Sequence, residues 1–187
     1  MKIGTLDIEI DTITSCLIDN SSGEEVATYV RRIEKKAELK GYTSRNGWHI
    51  NWQEQFREHE IYALYAEGDG NIQGLASLRV DKEADTLIFE WAVANPLNRK
   101  KWCEENGVKK RFLGVGAHLF AIAINRSYEL GYDGIIIGHP ANRTLMEHYI
   151  KTLGAEEFPF STGYRYTIVI WEDAAKKIKE NYTYERK

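Results

Sequence analysis

A basic, glycine-containing segment in the middle of the chain, residues 110–119, separates a strand-like run from a helix-like run. The strand-like run is apolar and covers 87–94, and the helix-like run covers 117–130 with apolar residues at helical spacing. A helix begins with backbone N–H groups that have no partner inside the helix, and with partial positive charge. Gly114 and Gly116 would let an anion approach those groups, so we predict a cradle for a phosphate or diphosphate. The alternative is that both glycines only permit a tight turn.

Two common nucleotide-binding motifs do not fit this segment. The Walker motif requires Gly-Lys-Ser/Thr after a four-residue gap, and the chain lacks it. The dinucleotide-binding fingerprint requires a third small residue at position 119, where the chain has Leu119. Any phosphate bound here must therefore be held by a different arrangement.

Length and composition are those of an ordinary globular protein, which we expect to form a single domain over 1–187. The chain has 187 residues, 43% of them hydrophobic, and 25 basic against 28 acidic residues give a net charge of -3. That balance gives no strong signal for nucleic acid. Cys16 and Cys103 have no metal-ligand spacing, so we expect no metal and two reduced thiols. Without a membrane-length apolar run or a signal peptide's hydrophobic stretch, we expect a cytoplasmic protein.

The N-terminal portion, 1–59, gives mixed signals. Partial alternation over residues 3–19 predicts one or two strands. Residues 26–33 suit a strand that returns from a hairpin, which we favour, but their spacing also fits a helix. Asn51 is a suitable N-cap for a helix over 52–59.

The rest of the chain predicts a meander followed by a βαβ unit, and therefore an α/β protein. Residues 96–110 read as a long polar loop, and the tail, 172–187, as helical up to Asn181. The helix after the glycine segment, with its flanking strands, implies one parallel pair in an otherwise antiparallel sheet. The predicted strands are 61–67, 72–80, 86–94, 135–137 and 164–171, and a further helix covers 142–153.

Two motifs resemble those of the GNAT superfamily, the acyl-CoA-dependent N-acyltransferases. Arg111-x-x-Gly114-x-Gly116 matches the family's Arg/Gln-x-x-Gly-x-Gly/Ala signature. Asn142 and Tyr149 have the spacing of the family's Asn-x(6)-Tyr helix, although Ala155 stands where Phe is usual. The resemblance covers residues 60–171. It implies a mixed, mostly antiparallel central sheet with helices on both faces.

The resemblance also implies a site for the acyl donor, acetyl-CoA. The amides of the glycine segment would hold the diphosphate of CoA, and the strand before it would pair with the pantetheine amides through its exposed backbone. Asn142 would contact the cofactor, although helix capping alone explains an asparagine there. The implied cofactor-binding residues are Ala92, Val93, Ala94, Arg111, Phe112, Leu113, Gly114, Val115, Gly116, Ala117 and Asn142.

Two residues are candidates for the catalytic groups. Glu90 is a carboxylate within an apolar strand, and burial would make it a stronger base for a protonated amine. The alternative for Glu90 is an ion-paired or solvent-facing position, and His139 is the rival base. Tyr149 matches the family's general acid, which protonates the departing CoA thiolate. Its alternative is a tyrosine packed between helix and sheet.

We therefore expect an N-acetyltransferase that transfers an acetyl group from acetyl-CoA directly to an amine acceptor in a ternary complex. The acceptor is not identified by the sequence, and a homodimer is left open. A non-catalytic CoA sensor or scaffold would keep Gly114 and Gly116 without needing Glu90 or Tyr149. An interaction protein with a degenerate cofactor site is the third alternative, and it would use residues 1–59 and the tail.

Overall fold

The computed structural model describes residues 4–160, 162–182 and, as backbone only, 185–186. Eleven strands and five α-helices occur in these residues. The strands are β1 (Leu17–Asp19), β2 (Glu25–Val26), β3 (Thr28–Arg32), β4 (Glu60–Ala66), β5 (Ile72–Asp81), β6 (Thr86–Ala94), β7 (Phe112–Leu113), β8 (Ile136–Gly138), β9 (Glu156–Glu157), β10 (Ile168–Ile170) and β11 (Glu185–Arg186). The helices are α1 (Trp52–Gln55), α2 (Lys100–Asn106), α3 (Val115–Leu130), α4 (Arg143–Leu153) and α5 (Glu172–Asn181).

The main sheet has the strand order β11-β3-β4-β5-β6-β8-β10-β9. Strands β3 to β6 pair antiparallel in chain order, and the short turns that join β4 to β5 and β5 to β6 contain Gly or Asp residues. Helix α3 connects β6 to β8, and these two strands are parallel. The predicted mixed, mostly antiparallel sheet and its β6–β8 parallel pair are therefore confirmed, but β11 forms a second parallel pair with β3.

A small second sheet has the order β2-β1-β7. Leu17 pairs with Val26, so the segment after the 19–23 turn returns as a hairpin strand, as favoured from the sequence. Phe112, two residues before Gly114, pairs with Asp19. The N-terminal portion is thereby joined to the start of α3.

Side chains pack against both faces of the main sheet. Helix α3 contacts β4, β5 and β6 on one face, and α5 packs on α3. The other face is covered by residues 33–56, where the buried Trp48 and Trp52 (in α1) pack with Trp91 of β6. Helices therefore lie on both faces, as predicted.

Several predicted elements need correction. Residues 96–110 are not a loop, because a 3-10 turn at Pro96–Asn98 leads into α2. This helix has a single buried residue, Cys103, so its sequence shows no apolar period. Of residues 4–19, only β1 is a strand, and the helix begun by Asn51 ends at Gln55 rather than at 59. The predicted strand over 164–171 is limited to β10.

Across the part of the chain that the structure describes, every helix is too short or too polar to cross a membrane.

Candidate active-site cleft

Strands β6 and β8 pair at one end and separate at the other. Their paired residues run from Leu87 with Ile136 to Phe89 with Gly138. Beyond this point β8 ends, while β6 continues to Ala94 and stays paired with β5 on its other edge. Among the described residues, those of β6 after Phe89 have no partner in β8. We call the resulting opening the splay cleft.

The glycine segment lies at the start of α3, next to this cleft. Gly114 is the N-cap residue and has φ 90°, a left-handed conformation that favours glycine. Gly116 is in ordinary helical conformation, but a Cβ there would lie 2.5 Å from the carbonyl oxygen of Glu9. Position 114 therefore requires glycine for its backbone angle, and position 116 requires it because another part of the chain approaches closely.

That other part is an N-terminal stretch, residues 4–12, which we call the cleft segment. Leu6 occupies the point where the strands separate: its N–H donates to His139 O at 2.8 Å, and Ala141 N–H donates to Leu6 O at 2.9 Å. Its backbone also forms bridges to Ala92 and Pro140. The Leu6 side chain is fully buried, and a Cβ on Gly138 would lie 2.5 Å from its Cδ1. Leu6 therefore fills the apex of the splay cleft.

Helix α4 holds the next residues of the cleft segment. Tyr149 donates its hydroxyl hydrogen to Ile8 O at 2.6 Å and accepts from Ile8 N–H at 3.2 Å. Ile10 N–H donates to His148 Nε2 at 3.0 Å. Tyr149 has no exposed surface, and burial raises the pKa of its hydroxyl well above the ordinary range, so the group stays protonated.

The end of the cleft segment reaches the glycine segment. Gly114 N–H donates to Asp11 Oδ1 at 2.8 Å, and Lys110 forms an ion pair with the same carboxylate. Asp11 is therefore a carboxylate at the start of α3, where the helix dipole favours negative charge. It occupies the kind of position that we predicted for a phosphate.

The two candidate bases lie at the apex end of the cleft. Glu90 is buried, and Arg79 Nε donates to its Oε1 at 2.8 Å. Gly4 lies directly on it, since a Cβ on Gly4 would be 2.6 Å from Glu90 O. His139 stacks on Tyr164 with ring centroids 3.5 Å apart, and burial lowers the pKa of its imidazole.

The structure brings only part of the predicted site together. Glu90, Ala92, Gly114, Gly116 and Tyr149 all contact the cleft segment, as described above. The others have different surroundings. Arg111 Nη1 pairs with Asp69 Oδ2 at 2.6 Å, and Asn142 caps α4 by accepting from Leu145 N–H at 2.9 Å. Val93 packs on the opposite face of the sheet, and Ala94 lines a neighbouring cavity. Phe112 and Leu113 form β7, and Val115 and Ala117 belong to the core.

A cavity of about 330 Å³ remains beside the cleft segment and above the start of α3. Its charged lining is mixed, because acidic side chains come from the cleft segment and from Glu105 of α2, and basic ones from α2 and the residues around it. The cavity is the open space nearest to the predicted donor site. Its lining includes Asp7, Glu9, Asp11, Arg99, Lys100, Lys101, Lys110 and Trp102.

Sequence reasoning missed the residues of the cleft segment. In the sequence, Leu6, Ile8 and Ile10 show only an alternating apolar pattern, and the acidic residues between them indicate no particular role. The alternation does indicate an extended segment with one buried side, and all three apolar side chains are buried. Nothing local indicates that their partners lie about 140 residues further along the chain.

A mixed sheet with a splayed parallel pair, and a glycine segment at the start of the helix between those strands, defines an α/β protein of open-cleft architecture. No protein-family model matches the sequence, and no curated protein matches it significantly. Solved structures of acetyltransferases do match in three dimensions. The chain has the GNAT fold, as the resemblance to that family implied.

Three of these structures support the assignment of the fold. A spermidine N-acetyltransferase chimera from Vibrio cholerae has a TM-score of 0.55 at 12% identity, covering 80% of this chain and 98% of its own. A protein from Desulfovibrio desulfuricans assigned to the GNAT family has 0.51 at 13%, covering 77% and 98%. A protein from Salmonella typhimurium assigned as an acetyltransferase, with acetyl-CoA bound, has 0.50 at 15%, covering 79% and 95%. At these identities the likeness establishes the fold.

Proposed function

We propose that the protein is an N-acyltransferase that takes an acetyl group from acetyl-CoA and transfers it to an amine acceptor. The observation that carries the proposal is the splay cleft itself, which opens beside the glycine segment at the start of α3. An open strand edge offers backbone partners to the amides of an extended donor, and a helix start offers N–H groups to its phosphates. Both are present here within the reach of one extended segment, since residues 6 to 11 contact both.

The donor would use the β6 edge at Ala92–Ala94 and the N–H groups of the glycine segment. Lys110 is the basic side chain nearest to that point, since it already pairs with the carboxylate of Asp11. Arg111 is engaged with Asp69, so its part in phosphate binding is weaker than its motif position suggests. These donor contacts require the cleft segment to leave, because it now occupies them.

Tyr149 and Glu90 would supply the proton transfers. Glu90 takes a proton from the acceptor's ammonium group, and the neutral amine forms the C–N bond as the thioester C–S bond breaks. The thiolate then takes the hydroxyl proton of Tyr149, and the proton that the new amide nitrogen releases restores this hydroxyl, which burial keeps protonated at neutral pH. His139 is the alternative base, because burial holds its imidazole neutral.

A second candidate function is that of an interaction protein whose cofactor site is degenerate. The observation that favours it is the depth at which the cleft segment is built into the fold, with Leu6 fully buried at the apex. Such a protein would bind no acyl-CoA. A CoA sensor would bind it but would be indifferent to Glu90 and Tyr149.

Calorimetric titration with acetyl-CoA on the wild type and on Gly116→Trp separates these candidates. We expect saturable binding that the substitution abolishes, because a large side chain at the start of α3 fills the phosphate position. Thiol release from acetyl-CoA with a panel of amines then tests catalysis, with Glu90→Gln and Tyr149→Phe as inactive variants. Binding without release would favour the sensor, and absence of binding would contradict the proposal.

A further inference from the structure

The cleft segment contacts the donor-binding elements in the order in which an extended donor would meet them. Its first residues touch Glu90 and Ala92, its middle touches Tyr149, and its end touches Gly116 and Gly114. We infer that residues 4–12 are an internal occupant of the acyl-CoA site, so that segment and donor exclude each other. The inference rests on the proposed function, and it adds a closed state to it.

The exclusion is steric at two points. At the apex, Leu6 leaves no room, since even a Cβ on Gly138 would approach its side chain to 2.5 Å. At the start of α3, the carbonyl oxygen of Glu9 lies so close to Gly116 that a Cβ on this residue would be only 2.5 Å from it. A diphosphate cannot approach the backbone N–H groups at the start of α3 while the Glu9 carbonyl is present.

The cleft segment also offers chemistry similar to that of the donor. An extended peptide presents amide groups to an open strand edge, as the pantetheine arm does. Its Asp11 carboxylate accepts from Gly114 N–H and pairs with Lys110, as a phosphate would. Release of the segment therefore returns to the donor the hydrogen bonds and the ion pair that the segment used.

The remaining contacts set how often the cleft is open. Leu6, Ile8 and Ile10 are buried in the main core cluster, and a carboxylate oxygen of Asp7 lies 3.5 Å from His49 Nδ1. An occupant held this way keeps most molecules closed. The measured donor affinity is then the intrinsic affinity reduced by the open fraction. Weakening the segment should consequently strengthen donor binding, which is opposite to the usual effect of damaging a protein.

The test uses the full-length chain and acetyl-CoA as the probe. Leu6→Ala empties the apex, and Asp11→Asn weakens the contact with Gly114 N–H and Lys110 without creating a cavity. Leu39→Ala is the matched control, since Leu39 is equally buried but belongs to the cluster on the opposite face. Donor affinity is measured by calorimetry, and amide hydrogen exchange in the absence of donor reports whether Leu6, Ile8 and Ile10 have been released.

We expect both cleft variants to bind acetyl-CoA about 10-fold or more tightly than the wild type, with faster exchange confined to the segment. The control should bind as the wild type does. Equal affinity in wild type and variants, despite faster exchange, would overturn the inference and leave the proposed function intact. If the released variants bound no acetyl-CoA at all, the proposed function itself would fail. If Leu6→Ala did not fold, Asp11→Asn alone would decide between these outcomes.

Discussion

The two ends of the β6–β8 pair differ in what completes them. At the closed end, Leu87, Ile88 and Phe89 pair directly with β8, and the sheet is complete within itself. At the open end, β6 runs on beyond the end of β8, and the gap is filled by Leu6, from the N-terminal part of the chain. The closed end needs nothing further, whereas the open end must be filled by something that can pair with a strand edge. An occupant at such a place can be exchanged for a ligand, and a strand inside the sheet cannot.

The largest effect should separate these two ends. Leu6→Ala and Leu87→Ala each remove a fully buried leucine side chain and should each cost about 2–5 kcal/mol. We expect the loss from Leu6→Ala to appear as local release, with faster amide exchange at Leu6, Ile8 and Ile10 only. Leu87→Ala should raise exchange throughout the sheet. The comparison would break if both variants showed the same global pattern in denaturation and exchange.

Tyr149→Phe should lower acetyl transfer by about 100-fold or more, because it removes the proposed proton donor. It also removes the 2.6 Å hydrogen bond to Ile8 O, so the cleft segment should exchange faster. Tyr182→Phe is the control, since the buried Tyr182 hydroxyl has no hydrogen-bond partner among the described residues. Steady-state thiol release measures the effect. Equal rates for Tyr149→Phe and wild type would remove Tyr149 from the mechanism.

Gly116→Ala sharpens the same contrast at the start of α3. In an ordinary helix, alanine in place of glycine stabilises by about 0.5–1 kcal/mol. Here the new Cβ would meet the backbone oxygen of Glu9, so we expect a net destabilisation of about 1–3 kcal/mol. Gly70→Ala, at a site with open space and without positive φ, is the control for urea denaturation. A stabilised Gly116→Ala variant would mean that Glu9 does not rest on α3.

The smallest effect should be a weakening in mild acid, which involves the open end. Burial lowers the pKa of His118, in the first turn of α3, and of His139 below their ordinary value of 6.5. For His139, the charge of Glu90 opposes this shift and that of Arg79 adds to it. The unfolded chain therefore binds protons first, and stability falls as the pH drops below about 6.5. Urea midpoints at several pH values measure the slope, which His118→Phe should reduce; an unchanged slope would assign the effect elsewhere.

The sequence was sufficient for the central strands of the sheet and for the two glycines at the start of α3, because both depend on local signals. Alternating and apolar runs located β4, β5 and β6, and Asn142 with Gly154 marked the ends of α4 correctly. Helix α2 was missed, since only Cys103 of its residues is buried and a polar helix has no period to detect. Local sequence patterns therefore identify elements that have a periodic apolar face or capping residues of their own.

The candidate site was predictable only in part. Gly114 and Gly116 were identified through a motif. The structure requires glycine at the two positions for different reasons, since Gly114 has a positive φ and Gly116 has a close neighbour. The neighbour, Glu9, could not be predicted, because contacts between residues 8–11 and the remainder of the site span about 100 to 140 positions. The sequence identified the cleft but not its occupant.

The most direct test of the account is amide hydrogen exchange of the wild type with and without saturating acetyl-CoA. The amides of Leu6, Ile8 and Ile10 donate to His139 O, Tyr149 Oη and His148 Nε2, so each reports one contact of the cleft segment. We predict that donor binding makes all three exchange faster, while Ile137 and Val169, paired between β8 and β10, stay protected. Bound acetyl-CoA with undiminished protection at Leu6, Ile8 and Ile10 would contradict the account.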